Sequence, residues 1–219
     1  EGIWSGINNN ISIKGNYIGV LVDGTTAAPN GEQGILLQDS SGIIGGSSAG
    51  EANIIANSLT SIGDGVNVGQ VDAEEVKVSI LGNPVYNNGG GGIALDSASN
   101  FNDKLDPDSG ANDHLNYPSY TGLQESSGDT IIDYLLDVPA GDYRIEFFSN
   151  DTQDPSGLGE GQTYLGFQNV TSIGSGAQYY TKPLTGLTGV QNRAMTATEI
   201  DESSDGFGAT SSFGGEAPP

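Results

Sequence analysis

Gly34-Ile35-Leu36-Leu37 decides the reading of this chain, because a glycine followed by β-prone residues recurs at Gly2-Ile3-Trp4, Gly65-Val66-Asn67-Val68 and Gly92-Ile93-Ala94-Leu95. The intervals between the glycines are 32, 31 and 27 residues. One strand returning at that spacing marks a repeat in which a single turn cannot bury its own apolar side and stacks on the next. Two further short strands fall inside the intervals. Ile11-Ser12-Ile13, Ile43-Ile44 and Val76-Lys77-Val78 form one set; Tyr17-Ile18-Gly19-Val20, Ile54-Ile55 and Val85-Tyr86 form the other. Alternation in Ile11-Ser12-Ile13 and Val76-Lys77-Val78 puts the apolar residues on one face and the polar one on the other.

Gly15-Asn16, Gly45-Gly46, Gly82-Asn83 and Asn87-Asn88-Gly89 punctuate these strands. Gly and Asn suit corners that visit positive φ, and Asn at such corners can stack into ladders. Three strands and three corners per turn predict a short parallel β-helix over residues 1–118, with 21–33 as a loop extruded from one turn. After Leu95 the periodicity stops, and residues 96–118 read as boundary and end-cap. Beyond them, alternating runs at Thr130–Leu136, Tyr143–Phe148, Tyr164–Val170, Gln178–Thr181, Ala194–Ile200 and Ala209–Phe213 predict an antiparallel Ig-like β-sandwich over 119–219. The fold class expected is therefore all-β, with no helix of consequence.

Of 219 residues, 28 are Asp or Glu and 6 are Lys or Arg, for a formal charge of −22. Such a surface repels phosphate and anionic headgroups, which argues against nucleic acid and membrane surfaces as partners. No apolar run approaches the roughly 20 residues that span a bilayer. The absence of cysteine removes disulfides and thiolate metal sites. The chain starts at Glu1 with no leader, which reads as a processed or excised form and points to secretion or the cell surface.

The acidic stretch Asp106-Pro107-Asp108-Ser109-Gly110-Ala111-Asn112-Asp113, with Asp103 before it, alternates oxygen ligands around a turn-forming glycine. Ca²⁺ collects six to eight oxygens at about 2.3–2.6 Å, so Asp103, Asp106, Asp108 and Asp113 are candidate ligands. Counting from Asp106, the twelfth position is Tyr117 and not the bidentate Glu of an EF-hand. A solvated acidic linker is the other reading. Asp201, Glu202 and Asp205 form a second acidic turn. His114 is the single histidine and reads as an end-cap residue. Asn10, Asn150 and Asn169 head N-glycosylation sequons.

Glycan cleavage needs either a strong base beside a cation or carboxylates facing across a glycosidic bond. Lys14, Lys77 and Lys104 are the only basic residues before Arg144; Lys14 and Lys77 read as outward and solvated. Asp39, Asp64, Asp72, Glu74 and Glu75 read as turn residues. Tyr134, Tyr143, Tyr164, Tyr179 and Tyr180 could offer a sugar platform, though packing explains most of them better. No enzymatic activity is expected.

Asn9-Asn10-Ile11-Ser12-Ile13-Lys14-Gly15-Asn16-Tyr17-Ile18-Gly19, then Asp23-Gly24-Thr25, Ile43-Ile44-Gly45-Gly46-Ser47 and Asn53-Ile54-Ile55 resemble the right-handed parallel β-helix repeats of large prokaryotic surface and secreted proteins. Gly92–Asp96 with Asn112–Pro118 resembles the way those solenoids end. Tyr143–Asn150 with Asp154–Thr163 resembles the small β-sandwich that follows them. The resemblance implies the fold and an extracellular or cell-surface setting, and it carries no activity.

The expectation that follows is a structural protein, a subunit of a cell-surface or filamentous assembly; the alternatives are a polysaccharide-binding module and a glycan-cleaving enzyme. An open first turn exposes an unpaired strand edge. Either the chain is cut from a longer solenoid, or it caps itself as a monomer, or a second copy fills the gap head to tail and builds a homopolymer, with residues 209–219 adding a strand to the neighbour.

Overall fold

The computed structural model describes all residues except 73–74, 97–100, 156, 158, 202–205 and 215–219. Glu74, Glu202, Asp205 and the tail from Glu216 to Pro219 therefore lie outside the described residues. The chain is all-β, in several sheets. Among the described residues the one helical feature is a 3-10 turn at Ala111–His114, and no helix is long and apolar enough to cross a membrane.

Residues 3–95 hold eight strands: β1 (Ile3–Ile13), β2 (Tyr17–Ile18), β3 (Ile35–Gly45), β4 (Ile54–Ala56), β5 (Val66–Gly69), β6 (Val78–Leu81), β7 (Val85–Tyr86) and β8 (Ile93–Leu95). All the pairings of these strands with one another are parallel. One sheet runs β1-β3-β5-β8 with β6 on β3, and another runs β2-β4-β7. Each circuit of these strands is a rung, and the register stacks like on like. Ile3, Ile35, Val66 and Ile93 form one column, Ile13, Ile44 and Ile80 a second, and Ile18 and Ile55 stand with Val85 as a third. Ile35, Ile44, Ile55, Val66 and Val85 are fully buried, each worth about 1.5–3 kcal/mol relative to exposure.

The recurring glycine has a steric cause. A Cβ on Gly2, Gly34 or Gly65 would lie 2.7, 2.6 or 2.8 Å from the carbonyl oxygen of the corresponding glycine one rung on. Rungs meet too closely there for any side chain.

Two expected strand pairs are continuous. Ile3-Trp4 and Ile11-Ser12-Ile13 both fall on β1, and Ile35–Leu37 and Ile43-Ile44 both fall on β3. The chain turns the corner inside the strand, with positive φ at Ile7 and Asn10 in β1 and at Asp39 in β3. Asp39 Oδ1 then takes the N–H groups of Val71 and Asp72, at 2.7 and 3.1 Å.

The second half has two three-stranded antiparallel sheets. One is β13 (Gln178–Leu184), β10 (Asp129–Leu136) and β9 (Ser119–Ser126); the other is β12 (Thr163–Ser172), β11 (Gly141–Ser149) and β14 (Arg193–Glu199). Ile132 and Tyr134 from β10 meet Ile145 and Phe147 from β11 in one core. Tyr134 stacks on Tyr180 and meets Phe147 edge-on, each with centroids 5.5 Å apart, so packing accounts for these tyrosines. Residues 209–214 form only isolated bridges to β14 where a strand was expected.

The core of the stack does not stop at residue 118. Phe148, Ala194 and Phe213 from the second half belong to the same buried cluster as Val66, Val85 and Ile93.

Candidate functional site

The two ends of the stack are unlike, and the difference begins with asparagine. Asn16 donates its backbone N–H and Nδ2 to Asn53 Oδ1, at 2.9 and 3.0 Å. Asn53 Nδ2 also reaches back to Ile13 O, and Asn83 Nδ2 to Ile44 O, at 2.8 and 2.9 Å. Each interior Asn thus binds the carbonyl of the rung before, and Asn53 also donates onward to Asn83 Oδ1. The glycine column has the same polarity: Ile3 N–H donates to Gly34 O, Ile35 N–H to Gly65 O and Val66 N–H to Gly92 O.

At the far end the stack's donors are met by the 3-10 turn and by the second half. Gly92 N–H reaches Gly159 O at 3.0 Å, and Val85 exchanges two bonds of 2.8 Å with Gly161. Val78 N–H goes to Asn112 Oδ1 and Ile80 N–H to Thr210 Oγ1. Glu146 Oε2 accepts Gly82 N–H, and Glu160 accepts Asn87 N–H on Oε2 and Asn88 N–H on Oε1. Phe213 lies over Gly92 and meets Phe148 edge-on at 5.4 Å, plugging the apolar interior.

These carboxylates sit deep. Glu146 is fully buried, and burial pushes its carboxyl up against the pull of Gly82 N–H and of Arg144, which lies 2.9 Å away. Glu160 is pushed up to about 7, by burial first and by Asp154 beside it, although the Asn87 and Asn88 donors pull the other way. Sequence reading missed both residues. The signal was present in β11, where Glu146 interrupts Ile145-Glu146-Phe147-Phe148 at a position buried on either side.

Lys77, expected to be outward and solvated, joins the halves. Its Nζ lies 3.2 Å from Glu199, 3.3 Å from Asp113 and 3.7 Å from Glu75. Burial lowers its pKa, but Glu199 and Asp113 more than offset that and the net shift is upward. Lys14 is outward and pairs with Glu51 at 3.0 Å. A groove of about 360 Å³ runs between these lysines over Ile11 and Ile43; with both ammonium groups already matched by carboxylates, it offers little to an anion.

The four calcium candidates are placed as follows. Asp106 is buried, its Oδ1 accepts Asn116 N–H at 3.0 Å, and its carboxyl is pushed up to about 7 by burial, with Asp103, Asp108 and Asp113 adding to the rise. Asp103 holds Asn116 through its backbone N–H and C=O. Asp108 is exposed, and Asp113 turns to Lys77. Among the described residues no three carboxylates or histidines form a group able to hold a metal ion. His114 pairs with Asp96 at 2.6 Å, and the other Asp96 oxygen accepts Gln70 N–H, so the pair fastens the turn at 110–114 to the last rungs.

Of the sequons, Asn10 and Asn169 are exposed. Asn150 differs from them in its surroundings. It is buried, its Nδ2 donates to Glu160 O and Asn192 O, and its Oδ1 accepts Gln162 N–H.

A cleft of about 370 Å³ opens beside Glu160, lined by Tyr86, Asn87, Thr152, Gln153, Pro155 and Gln162 among others. With both Glu160 oxygens taken by backbone amides, the arrangement is poor for acid–base catalysis.

Among the described residues the near end has no counterpart to this seal. β1 is an edge strand, and among the described residues no strand pairs with its outer side. Trp4 is 61 % exposed and Ile7 83 %. Asn16 Nδ2 turns back on Lys14 O at 2.9 Å, where an interior Asn would hold the preceding rung.

No protein-family model matches this chain, and no curated protein matches it.

Proposed function

We propose that this chain is a structural module, the sealed terminus of a right-handed parallel β-helix, in which a β-sandwich serves as the cap. The setting is extracellular or at the cell surface, by the resemblance of its repeats. The observation that carries the reading is the placement of Glu146 and Glu160, which take up the stack's last free N–H donors at the corners. A solenoid edge left open is a template for uncontrolled pairing, and a terminal repeat that differs from the others is the usual remedy.

The seal weighs against the head-to-tail homopolymer. Thr210, Ser211 and Phe213 are buried within their own chain, which leaves only residues outside the described set from that tail to add a strand to a neighbour. Termination replaces repetition in the structural role. The test is uncapping: the intact chain should sediment as one species, and Glu160→Ala with Phe213→Ala should associate with rising concentration as freed donors meet the open end of another copy. Filaments of the unaltered chain in negative stain would overturn the reading.

A second reading, a polysaccharide-binding module, is favoured by the polar cleft beside Glu160, where Tyr86 and several amides face one space. A glycan array separates it from the first.

A further inference from the structure

The chain contains two Asn-Gly dipeptides, Asn30-Gly31 and Asn88-Gly89, and the fold treats them differently. An asparagine followed by glycine holds a nucleophile beside an electrophile: the glycine amide nitrogen can attack the side-chain carbonyl carbon, and no Cβ on the glycine obstructs the approach. We propose that Asn30-Gly31 is a self-modification site of the folded protein, at which Asn30 cyclises on Gly31 N and is then hydrolysed to aspartate and isoaspartate, while Asn88-Gly89 is held inert.

The contrast lies in what restrains each pair. Gly89 donates its N–H to Ser58 O at 2.7 Å. Asn88 is fixed at both side-chain atoms, Nδ2 donating to Glu160 Oε1 at 2.9 Å and Oδ1 accepting Ser58 N–H at 3.2 Å. A Cβ on Gly89 would stand 2.4 Å from Thr60 O, so that glycine is closely packed as well. At the other dipeptide these restraints are missing. Among the described residues Gly31 N–H has no acceptor, Asn30 Nδ2 is buried without a hydrogen-bond partner, and nothing lies within 4 Å of the place a Gly31 Cβ would take. Only the Asn30 backbone is anchored, paired with Ser58 of the next rung and accepting Leu59 N–H at 3.1 Å. A fixed electrophile thus stands next to a nucleophile free to turn.

The chemistry consumes water and releases ammonia, with no oxidation. A solvent base takes the Gly31 amide proton, the nitrogen bonds to Asn30 Cγ, and the Cγ–Nδ2 bond breaks as Nδ2 takes up a proton and leaves as ammonia. Water then opens the cyclic imide. Attack at Cγ gives aspartate; attack at the Asn30 main-chain carbonyl carbon gives isoaspartate, with the chain now running through Cγ. Asn30 Nδ2 lies 3.1 and 3.3 Å from where a Cβ on Gly2 or Gly19 would stand, so aspartate brings charge into a buried place, and isoaspartate shifts the main chain at the residue paired with Ser58. Either product loosens the hold of the first rung on the second.

The test ages the unaltered protein in mildly alkaline buffer, folded and in concentrated urea, and follows both dipeptides by peptide mapping, with enzymatic methylation to count isoaspartate. In the folded chain product should build up at Asn30 at least about tenfold faster than at Asn88, which must first open against its three hydrogen bonds. In urea the two rates should converge. Gly31→Ala should slow the reaction at Asn30 and leave Asn88 unchanged. The inference fails if Asn88 keeps pace with Asn30 in the folded chain, or if Asn30 reacts only once the chain is unfolded. It fails if the same ratio persists in urea, since flanking sequence and not the fold then sets it. Aspartate at Asn30 without isoaspartate would mean direct hydrolysis and would overturn the cyclisation.

Discussion

Glu160 does to Asn88 what Asn83 does to Asn53. Asn53 donates its N–H and Nδ2 to Asn83 Oδ1 at 2.8 and 2.9 Å, and Asn88 donates its N–H and Nδ2 to Glu160 Oε1 at 2.8 and 2.9 Å. A carboxylate from the second half stands in for the asparagine of the next rung and, having no N–H to pass on, stops the ladder. Its replacement by Ala leaves three N–H donors without this acceptor, two of them on buried Asn88 and the third the Asn87 N–H that uses the other oxygen. Each unsatisfied donor costs about 1–3 kcal/mol before relaxation. Urea unfolding of Glu160→Ala should show a loss of at least about 2 kcal/mol; a loss within about 0.5 kcal/mol, typical of an ordinary surface change, would mean the corner does not depend on the seal.

The repeat was legible because its cause is local. A glycine that must pass within contact of the next carbonyl, followed by alternating apolar residues, recurs in sequence as it does in space. The seal was not legible, because most of it depends on pairs far apart in sequence, such as Gly82 with Glu146, 64 residues away, and Ile80 with Thr210, 130 residues away. Lys77 misled for the same reason. Its strand alternation points outward correctly, and only the fold brings Glu199 to meet it. The β9 strand was missed because Ser119-Tyr120-Thr121-Gly122-Leu123-Gln124-Glu125-Ser126 has no clear alternation and no buried residue.

The glycine column makes a paired prediction. Gly34→Ala puts a Cβ 2.6 Å from Gly65 O, so two rungs must part, and overpacking of this kind costs about 1–3 kcal/mol. Gly31 has open space around it and no positive φ, so Gly31→Ala should be neutral or stabilising by up to about 1 kcal/mol through the unfolded chain. Equal melting temperatures for the two variants would show that the column is not under steric control.

The buried carboxyls fix the sign of the pH response. Asp106 and Glu160 are each pushed up to about 7 from ordinary values of 3.8 and 4.5. Between the ordinary and raised values the folded chain holds protons that the unfolded chain has released, so stability falls as pH rises through that window. Asp23, drawn down to about 2 by the Thr25 and Thr26 donors, acts oppositely and only at lower pH. Thermal melts should therefore give a higher transition at pH 5 than at pH 7.5, and Asp106→Asn should flatten the difference. A higher transition at pH 7.5 would contradict the assignment.

Glycosylation separates the three sequons by exposure. Oligosaccharyl transfer needs a free Nδ2, and in the folded chain Asn150 has committed its own to two carbonyls. When folding precedes transfer, peptide mapping of material secreted from a glycosylating host should find occupancy at Asn10 or Asn169 and none at Asn150. A glycan on Asn150 in folded, sealed material would refute the placement.

Salt should stabilise this chain, for a reason that can be read from its cations. Lys14, Lys77 and Arg144 pair with Glu51, with the Glu75, Asp113 and Glu199 group, and with Glu146. Only 6 cations stand against 28 acidic residues, so acidic charge outnumbers basic more than fourfold. Their mutual repulsion is relieved when the chain expands, which favours unfolding. Screening shortens the reach of that repulsion from about 30 Å at 0.01 M to about 3 Å at 1 M. The pairs that salt also weakens are half-exposed at Lys14 and Lys77, and such pairs contribute only about 0–1 kcal/mol each. Repulsion is the larger effect, so the melting temperature should climb steadily with NaCl and with KCl alike. A flat response in both would mean the surface is neutralised some other way, and a rise with Ca²⁺ alone at millimolar concentration would identify bound cations as that way.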